Sequence, residues 1–562
     1  MKAEARVEII ELQRRWVADL KNRIYELGGR EDAVRRRYYA EYRELFQHGY
    51  ERLASRSEIV QKLANSQIAC VGDFHTLRLA QSTFVKLLDQ VATEYEKPLI
   101  IGLEMLHTKD QVHADAYLAG KSTEEEFLAA IDYQRTWGFA WANYRPIFEL
   151  AREHHAKVIG LNVDLPDSRH RLRDRDRHAA SLIAAASAMH PDHLVATLYG
   201  DLHVGESHLP YQIDVALEEL YLERNQVILY QNSETFYWEL VGQGRERVAD
   251  AVRIKPNVYC IMAATPLVKF QSWLIWEEAG EELHLSGLDA LDHDFRGPAD
   301  LSEQFHEIIE SIVEFLHIDV QGLDNFKLYT TGELDFLDQL RKQKLYTPSE
   351  IKAMKDVIAQ RRSAFFPRAR VVYLGRLSIN DAAEMAAKFI RFACIQDEYE
   401  GEFSPKDACY VSIFDEAIGI FGTLLMNPRY RVMDAETHIL QADSLKGRRL
   451  SEAEQLARDV SRLVARHEEM MERVLSGVSG RTSLRSLYTQ TSERYRGFTR
   501  ALGAILGSQL FRGVDAGALS VDVVKQLFFE TWSPGEPFRK YVELRHLLMS
   551  LPNKVLREQS AL

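Results

Sequence analysis

Short apolar runs alternate with amphipathic stretches over the part of the chain between residues 65 and 230. Five of these runs have the length and β-branched content of buried strands, and they cover residues 68–71, 98–103, 157–161, 193–199 and 226–230. Between the first two runs, one helical face is apolar and consists of Leu77, Ala80, Phe84, Leu88 and Val91. Strands that alternate with helices are joined by crossover connections into a mostly parallel sheet. The pattern therefore predicts an α/β domain built on such a sheet.

The segments on both sides of this region have a helical pattern. Residues 1–60 are predicted to form an N-terminal helical arm, because apolar positions recur at helical spacing at Ile9, Leu12, Trp16, Leu20 and Ile24. The α/β domain is predicted over 61–298, ending near Arg296-Gly297-Pro298. Residues 299–562 are predicted to be a largely α-helical C-terminal region with a break near 397–407. Its helix-start signals are Thr347 with Glu350 and Ser451 with Glu454, and its one predicted strand is 369–374.

Composition and charge narrow the class of protein. The 562 residues include 70 Lys and Arg against 83 Asp and Glu, a formal net charge of −13, which argues against general binding of nucleic acid. The four cysteines form no CxxC pair, so neither a zinc knuckle nor a disulfide framework is indicated. The first residues lack the apolar core of a signal peptide, and no stretch reaches the roughly 18 apolar residues of a membrane span. We therefore expect a cytoplasmic protein without a membrane span.

Polar side chains follow four of the predicted strands at the point where each strand ends. The sequence GDFH (72–75) follows the first strand and GDLH (200–203) the fourth, while Glu104 and Asn162 follow the second and third. Because the carboxyl ends of parallel strands meet at one edge, where ligands bind in α/β folds, these residues should share a cleft. In each GDxH element, Gly allows a tight turn, Asp fixes an imidazole and His faces the cleft.

Two chemistries are open to these side chains. His75, Glu104 and His203 could bind a divalent metal, since imidazole and carboxylate ligands suit Zn, Mn or Fe. Alternatively, His75 could be a general base oriented by Asp73, with Glu104 as its acid partner.

The order of these motifs resembles the ChaN-like haem-binding domain, which forms one superfamily with the Tiki proteases and the erythromycin esterases. The resemblance extends from Gly72 to about Pro210, continues more weakly through 264–267, and does not include the C-terminal half. The matching motifs are GDFHTLRLAQ (72–81), GLEMLHTKDQ (102–111), WANYRPIFELAR (141–152), IGLNVDLP (159–166), RDRHAA (175–180) and YGDLHVGESHLP (199–210).

The resemblance implies different activities for different branches of the superfamily. ChaN-like members bind haem, some as a cofacial pair across a dimer, and serve bacterial iron uptake as lipoproteins. Tiki-like members hold a metal for hydrolysis with two GxxH elements and a Glu, which carries over to His75, Glu104 and His203. Esterase-like members use the first-motif His as a base, here His75. The sequence departs from the family at Asp73, where Glu is usual, and in lacking a lipoprotein signal.

Haem would need an axial ligand, an apolar slot and basic residues for its propionates. Tyr144 and Arg177 are the predicted haem contacts beside His75, Glu104 and His203. Tyr117, Tyr133, Trp137 and Trp141 either line the cleft or belong to the core. Residues predicted to support the ligands are Asp73, Asp201, Asn162 and Gln111.

Haem or metal binding in this cleft is the leading hypothesis, with haem or another small molecule as the partner and a homodimer left open. The first alternative is a divalent-metal-dependent hydrolase that uses His75, Glu104 and His203. The second is an interaction or scaffold protein whose cleft is degenerate.

Overall fold

The structure, a computed structural model, describes residues 4–27, 40–165, 171–283, 301–330, 334–360, 362–395, 403–444, 450–477, 488 and 492–552. Among these, residues 17–283 form one compact unit, and residues 4–16 with 301–552 form another. We call them the α/β unit and the helical unit. The expected end of the α/β domain near Arg296-Gly297-Pro298 lies outside the described residues. Of the expected break at 397–407, residues 397–402 also lie outside them. The predicted domain boundaries stay predictions.

The α/β unit is built on an eight-stranded sheet. Its strands are β1 (Arg52–Ala54), β2 (Ile68–Asp73), β3 (Leu99–His107), β4 (Lys157–Asn162), β5 (Leu194–Gly200), β6 (Gln226–Gln231), β7 (Ala251–Lys255) and β8 (Val258–Ile261). They lie in the order β1-β7-β8-β6-β2-β5-β3-β4. All neighbours from β8 to β4 are parallel, whereas β7 is antiparallel to both β1 and β8. The sheet is therefore mostly parallel, as the sequence predicted.

The helices of this unit connect and cover the strands. They are α2 (Arg56–Ala64), α3 (Arg78–Tyr95), α4 (Gln111–Leu118), α5 (Glu124–Ala130), α6 (Tyr133–Thr136), α7 (Trp141–Glu153), α8 (Arg171–Met189), α9 (Leu209–Glu219), α10 (Glu234–Gln243) and α11 (Pro266–Leu283). The division between the two units falls within α1 (Glu4–Leu27), the helix predicted from the N-terminal pattern.

All five predicted strands are present, and the predicted apolar face of α3 is buried in the core. Phe84 and Leu88 of this helix pack in one cluster with Val71 of β2 and Leu198 of β5. Burying a side chain of this size stabilises the fold by about 1.5–3 kcal/mol. Glu104 differs from expectation in one respect, because β3 does not end before it but continues to His107. The pairing of β3 with β4 shifts register between Leu103 and His107.

The helical unit is largely α-helical and includes one small sheet. Strands β9 (Lys327–Thr330), β10 (Ala364–Phe366) and β11 (Val371–Leu374) pair in the order β10-β11-β9, and β11 is the strand predicted at 369–374. The helices are α12 (Leu301–Leu316), α13 (Asp335–Lys342), α14 (Pro348–Ala359), α15 (Ile379–Ile395), α16 (Pro405–Met426), α17 (Ala435–Ser444), α18 (Glu452–Leu475), α19 (Ser492–Asp515), α20 (Val521–Phe529) and α21 (Glu536–Met549). Capping boxes start α14 at Thr347 and α18 at Ser451, as predicted.

Helix α16 forms the centre of this unit and packs against α15 and α19. Among the described helices it alone is long and apolar enough to cross a membrane, and 78% of its most apolar window is buried inside the protein. A glycine makes the contact with α19 close, because a Cβ at Gly507 would overlap the backbone carbonyl of Ala417. Helix α16 therefore packs as a core helix.

Candidate functional site

Three neighbouring strands bring the predicted site residues to one edge of the sheet. Asp73 is the last residue of β2 and pairs in register with Gly200, the last residue of β5. On the other side of β5, Leu103 of β3 pairs with Leu198, which places Glu104 beside the end of β5. The carboxyl edge of the sheet therefore gathers residues from distant parts of the sequence.

Asp73 holds His75 in a single orientation. Its Oδ2 atom lies 2.9 Å from His75 Nδ1 and accepts a hydrogen bond from the Tyr144 hydroxyl at 2.8 Å. Its Oδ1 atom accepts a hydrogen bond from Gln81 Nε2 at 2.5 Å. With Nδ1 donating to the carboxylate, His75 Nε2 is the ring nitrogen left for chemistry. Tyr144, predicted as a haem contact, supports His75 through Asp73.

Both oxygens of Glu104 have partners inside the protein. Arg175 Nη2 donates to Oε1 at 2.5 Å, and the backbone N–H of Gly200 donates to Oε2 at 2.7 Å. His75 Nε2 lies 3.9 Å from the same Oε2. The missing side chain of Gly200 makes this approach feasible, since a Cβ there would lie 3.2 Å from Glu104 Oε2 and 3.3 Å from His75 Nε2.

His203 forms a second, more deeply buried imidazole–carboxylate pair. Its Nδ1 atom lies 2.5 Å from Asp176 Oδ1, and its ring meets the Tyr199 ring edge-on with centroids 5.1 Å apart. His203 also helps to lower the pKa of Glu104, which places these two groups within electrostatic range. Both predicted histidines thus flank Glu104, each next to a carboxylate of its own.

The charges of the cleft shift the pKa values of its central groups. Burial alone would raise the pKa of Glu104, but Arg175, His203 and His75 outweigh it and hold that pKa below its usual value. Burial alone would lower the pKa of His75, but Asp73 and Glu104 together raise it above the ordinary value. The cleft thus favours a glutamate anion and stabilises a protonated His75.

A set of half-buried aromatic rings adjoins His75. Trp137 meets the His75 ring edge-on at 4.6 Å between centroids, and Phe139 lies 4.8 Å from it. Trp276 stacks on Phe139 with centroids 4.8 Å apart. We call Trp137, Phe139 and Trp276 the aromatic rim. Trp141 and Tyr133 are instead fully buried in the core, so of the two tryptophans expected to line the cleft only Trp137 does so.

The remaining predicted residues lie around the cleft or away from it. Asp201 is buried and pairs with Lys269 Nζ at 3.4 Å. Asn162 Oδ1 accepts a hydrogen bond from the Val163 N–H. Gln111 bridges α4 to the backbone of β4 by bonds to Val158 and Gly160. Arg177 is 65% exposed and lies 3.8 Å from Asp174 on the same helix.

The sequence reasoning missed Gln81, Arg175 and Asp176, which contact the predicted polar residues. It also missed Lys269, which pairs with Asp201, and Phe139 and Trp276 of the aromatic rim. The signals for Arg175 and Asp176 differ from those for the others. A usable signal for Arg175 and Asp176 was the periodicity of α8, in which Ala179, Ala180 and Ile183 are fully buried. Residues four apart share a helix face, so positions 175 and 176 belong to the buried face and position 177 does not. Arg175, and not Arg177, therefore reaches Glu104.

The cleft residues do not form a ready metal site. Within the described part of the chain, no group of three His, Cys, Asp or Glu side chains is arranged to hold a metal ion. The Glu104 carboxylate is engaged by a guanidinium and a backbone N–H, which compete with a cation for the same oxygens. The three-residue metal set of His75, Glu104 and His203 stays a prediction that this arrangement does not favour.

Comparison with known proteins agrees with the sequence motifs. Residues 59–173 match the family model described as "Haem-binding uptake, Tiki superfamily, ChaN". Similar solved structures include "Cofacial heme binding to ChaN of Campylobacter jejuni", at 13% identity and a TM-score of 0.26, covering 32% of this chain and 87% of that one. Another is "The structure of the type III effector HopBA1", at 12% identity and a TM-score of 0.27, covering 38% of this chain and 95% of that one.

No curated protein matches the chain. The matched segment includes Asp73, His75, Glu104 and Tyr144, whereas Arg175, Gly200 and His203 lie beyond it. Within the α/β unit, residues 59–173 are thus similar to the ChaN family of the Tiki superfamily, as the motifs predicted.

Proposed function

We propose that the cleft at the carboxyl edge of the α/β unit binds haem, with His75 Nε2 as the ligand of the iron. One observation carries this proposal: Asp73 binds His75 Nδ1 at 2.9 Å, which leaves Nε2 as the free nitrogen of an oriented imidazole. Histidines that ligate metals generally donate their other ring N–H to a carboxylate or carbonyl in this way. The match of residues 59–173 to a haem-binding family supports the same ligand.

The surroundings of His75 supply part of what a porphyrin requires. The aromatic rim offers half-buried rings beside the imidazole, and a porphyrin face is buried favourably against such rings. Arg177, on the exposed face of α8, remains the predicted partner of a propionate. Haem bound here would supply an iron centre whose electronic properties depend on the His75–Asp73 pair.

The second candidate is a hydrolase in which His75 acts as a general base. The contact from Asp73 favours it, because a carboxylate on Nδ1 fixes the tautomer in which Nε2 accepts a proton. The hydrogen bonds of Tyr144 and Gln81 to Asp73 keep that carboxylate in place. The metal-dependent form of this hydrolase remains a sequence prediction.

A homodimer and a cytoplasmic location remain part of the proposal as predictions from the sequence. The four cysteines, all present as free thiols, are compatible with a reducing compartment.

The test is an absorbance titration of the full chain with haemin, with His75→Ala and His154→Ala run beside it. His154 is a matched control, because its ring also contacts an aspartate, Asp89, at 2.9 Å, and its side chain is 19% exposed against 21% for His75. It follows the last residue of α7, before β4 begins, and so lies at the opposite edge of the sheet.

We expect a saturable Soret shift in the parent protein and in His154→Ala, and a weaker one in His75→Ala. An equal shift in all three proteins would refute His75 as the ligand. If no shift occurs, hydrolysis of a chromogenic ester, with and without a chelator, tests the second candidate. Loss of hydrolysis in His75→Ala alone would then assign the cleft to that chemistry.

A further inference from the structure

A buried network of charges occupies the core of the helical unit, remote in sequence from the cleft. Glu384 and Lys388 lie one turn apart on α15, Glu416 lies on α16 and Arg500 on α19. Arg500 holds Glu384 with two nitrogens, at 2.7 Å and 2.8 Å, and Lys388 Nζ lies 3.0 Å from both glutamates. These four groups balance each other, so the network needs no ligand of its own.

Two further arginines adjoin the network without a carboxylate partner. Arg496 lies one turn before Arg500 on α19, and its Nε atom is buried with no hydrogen-bond partner among the described residues. Arg362, which follows α14, is half-buried and forms no ion pair with any described residue. Arg362 lies two residues before β10, and β10 packs against α15, the helix of Glu384 and Lys388. Burial, Arg500 and Arg496 lower the pKa of Arg362 more than Glu416 and Glu384 raise it, which agrees with repulsion among the guanidiniums.

This arrangement places an excess of positive charge in a half-buried position. Arg362, Lys388, Arg496 and Arg500 contribute four positive charges to this cluster, against two negative charges from Glu384 and Glu416. Like charges one turn apart on a helix are destabilising, and a half-buried guanidinium without a partner costs more than a solvated one. Asp381 adds one carboxylate, but Arg376 adjoins it as well, so the excess remains. An anion would relieve this repulsion.

We propose that Arg362, Arg496 and Arg500 form a binding site for a phosphoryl group, either free phosphate or a phosphate monoester. The uncompensated charge of two guanidiniums matches a dianion, and their planar forks match the geometry of phosphate oxygens. The side chain of Arg500 is 33% exposed, so an anion can reach the cluster from solvent. Glu384 holds Arg500 in place and leaves Arg496 and Arg362 for the ligand.

Equilibrium dialysis of the full chain against radiolabelled inorganic phosphate, at constant ionic strength set with chloride, tests this site. The variants are Arg496→Gln and Arg362→Gln, on different elements, so that a folding defect in one leaves the other informative. Arg494→Gln is the control, because Arg494 lies on the same helix but pairs with Asp459 at 2.6 Å. Circular dichroism verifies that each variant retains its helix content.

We expect saturable binding by the parent protein and by Arg494→Gln. Each of the other two variants should bind about tenfold more weakly or worse, since each removes a charge-assisted hydrogen bond to phosphate. Arg496→Lys should recover part of the affinity, because it restores the charge without the fork. Displacement of the label by glycerol 3-phosphate would identify an ester site, and its failure would identify a site for free phosphate. Absence of saturable binding, or equal binding by all variants, would overturn the proposal.

Discussion

His75 Nδ1 lies 2.9 Å from Asp73 Oδ2, and only one residue separates the two in the chain. Asp73 ends β2, so its position is fixed by the sheet, whereas His75 follows in the turn before α3. The carboxylate therefore anchors a side chain that the turn alone would leave free to rotate. The aspartate that stands where the family usually has glutamate is the residue that orients the imidazole.

Replacing Asp73 with Asn tests whether this anchor matters for the ligand. The amide keeps the size of the side chain but removes the charge that Nδ1 contacts, so we expect haem affinity to fall by about 10- to 100-fold. Asp89→Asn is the matched control, because it removes the carboxylate beside His154 at the same 2.9 Å distance. Haemin titration measures both, and equal affinities would contradict the role of Asp73.

The affinity for haem should depend on pH through His75. Burial lowers the pKa of His75, but Asp73 and Glu104 raise it further, so the net pKa lies above the ordinary value of about 6.5. Only the neutral ring binds iron, so haem affinity should increase as the pH rises through this raised pKa and then level off.

Protonation of His75 also favours the folded state. That contribution is fully present below the unfolded pKa and is lost as the pH rises through the raised folded pKa.

Haemin titrations from about pH 6 to about pH 9 measure the midpoint of the affinity change. In Asp73→Asn the midpoint should move to lower pH, and a pH-independent affinity would exclude His75 as the ligand.

Arg175 and Arg177 are two positions apart, but their replacement with alanine should change the free energy of unfolding by very different amounts. Arg175→Ala leaves the buried Glu104 carboxylate without its guanidinium and should lower the free energy of unfolding by about 3 kcal/mol. Arg177→Ala removes an exposed side chain and should change it by less than about 0.5 kcal/mol. Urea denaturation measures both. Combining Arg175→Ala with Glu104→Gln should recover part of the loss, since no buried anion then remains unpaired.

Gly200→Ala tests the close approach of β5 to the His75–Glu104 pair. The added methyl would lie 3.3 Å from His75 Nε2, so the ring or the carboxylate must move, and we expect weaker haem binding with about 1 kcal/mol lost stability. Gly242→Ala is the control, because nothing lies within 4 Å of a Cβ there. It replaces a glycine inside α10 and should raise stability by about 1 kcal/mol.

The parts of the fold that follow from local patterns were predictable. The five predicted strands, all of them parallel, carry continuous apolar runs, since buried strands leave no polar face. Strands β1, β7 and β8, which have three to five residues, were missed; charged residues occur in β1 and β7 and weaken the apolar signal there. The extension of β3 through Glu104 to His107 was missed because a charged residue inside a buried strand contradicts its hydropathy.

The residues of the candidate site that could be predicted are those that lie at the ends of strands. Asp73, His75, Glu104 and His203 were found because each lies at or near the end of an apolar run. Arg175 and Asp176 were missed because the run of alternating charges that begins α8 favoured a solvent-facing helix start, although Ala179, Ala180 and Ile183 mark the buried face. Gln81 lies eight residues after Asp73, and only the tertiary fold shows that they meet.

The Gly200 N–H bond to Glu104 makes the cleft part of the sheet's own hydrogen bonding. Rotation of the Glu104 side chain would break this bond without opening the sheet, but Arg175 holds the other carboxylate oxygen, so the Gly200 amide should exchange slowly with solvent. The Glu104 carboxylate is thus held by both β5 and α8. The half-buried rings of Trp137, Phe139 and Trp276 are free of that constraint. If the cleft binds haem as proposed, substitution of these rings should therefore change the residence time of the ligand.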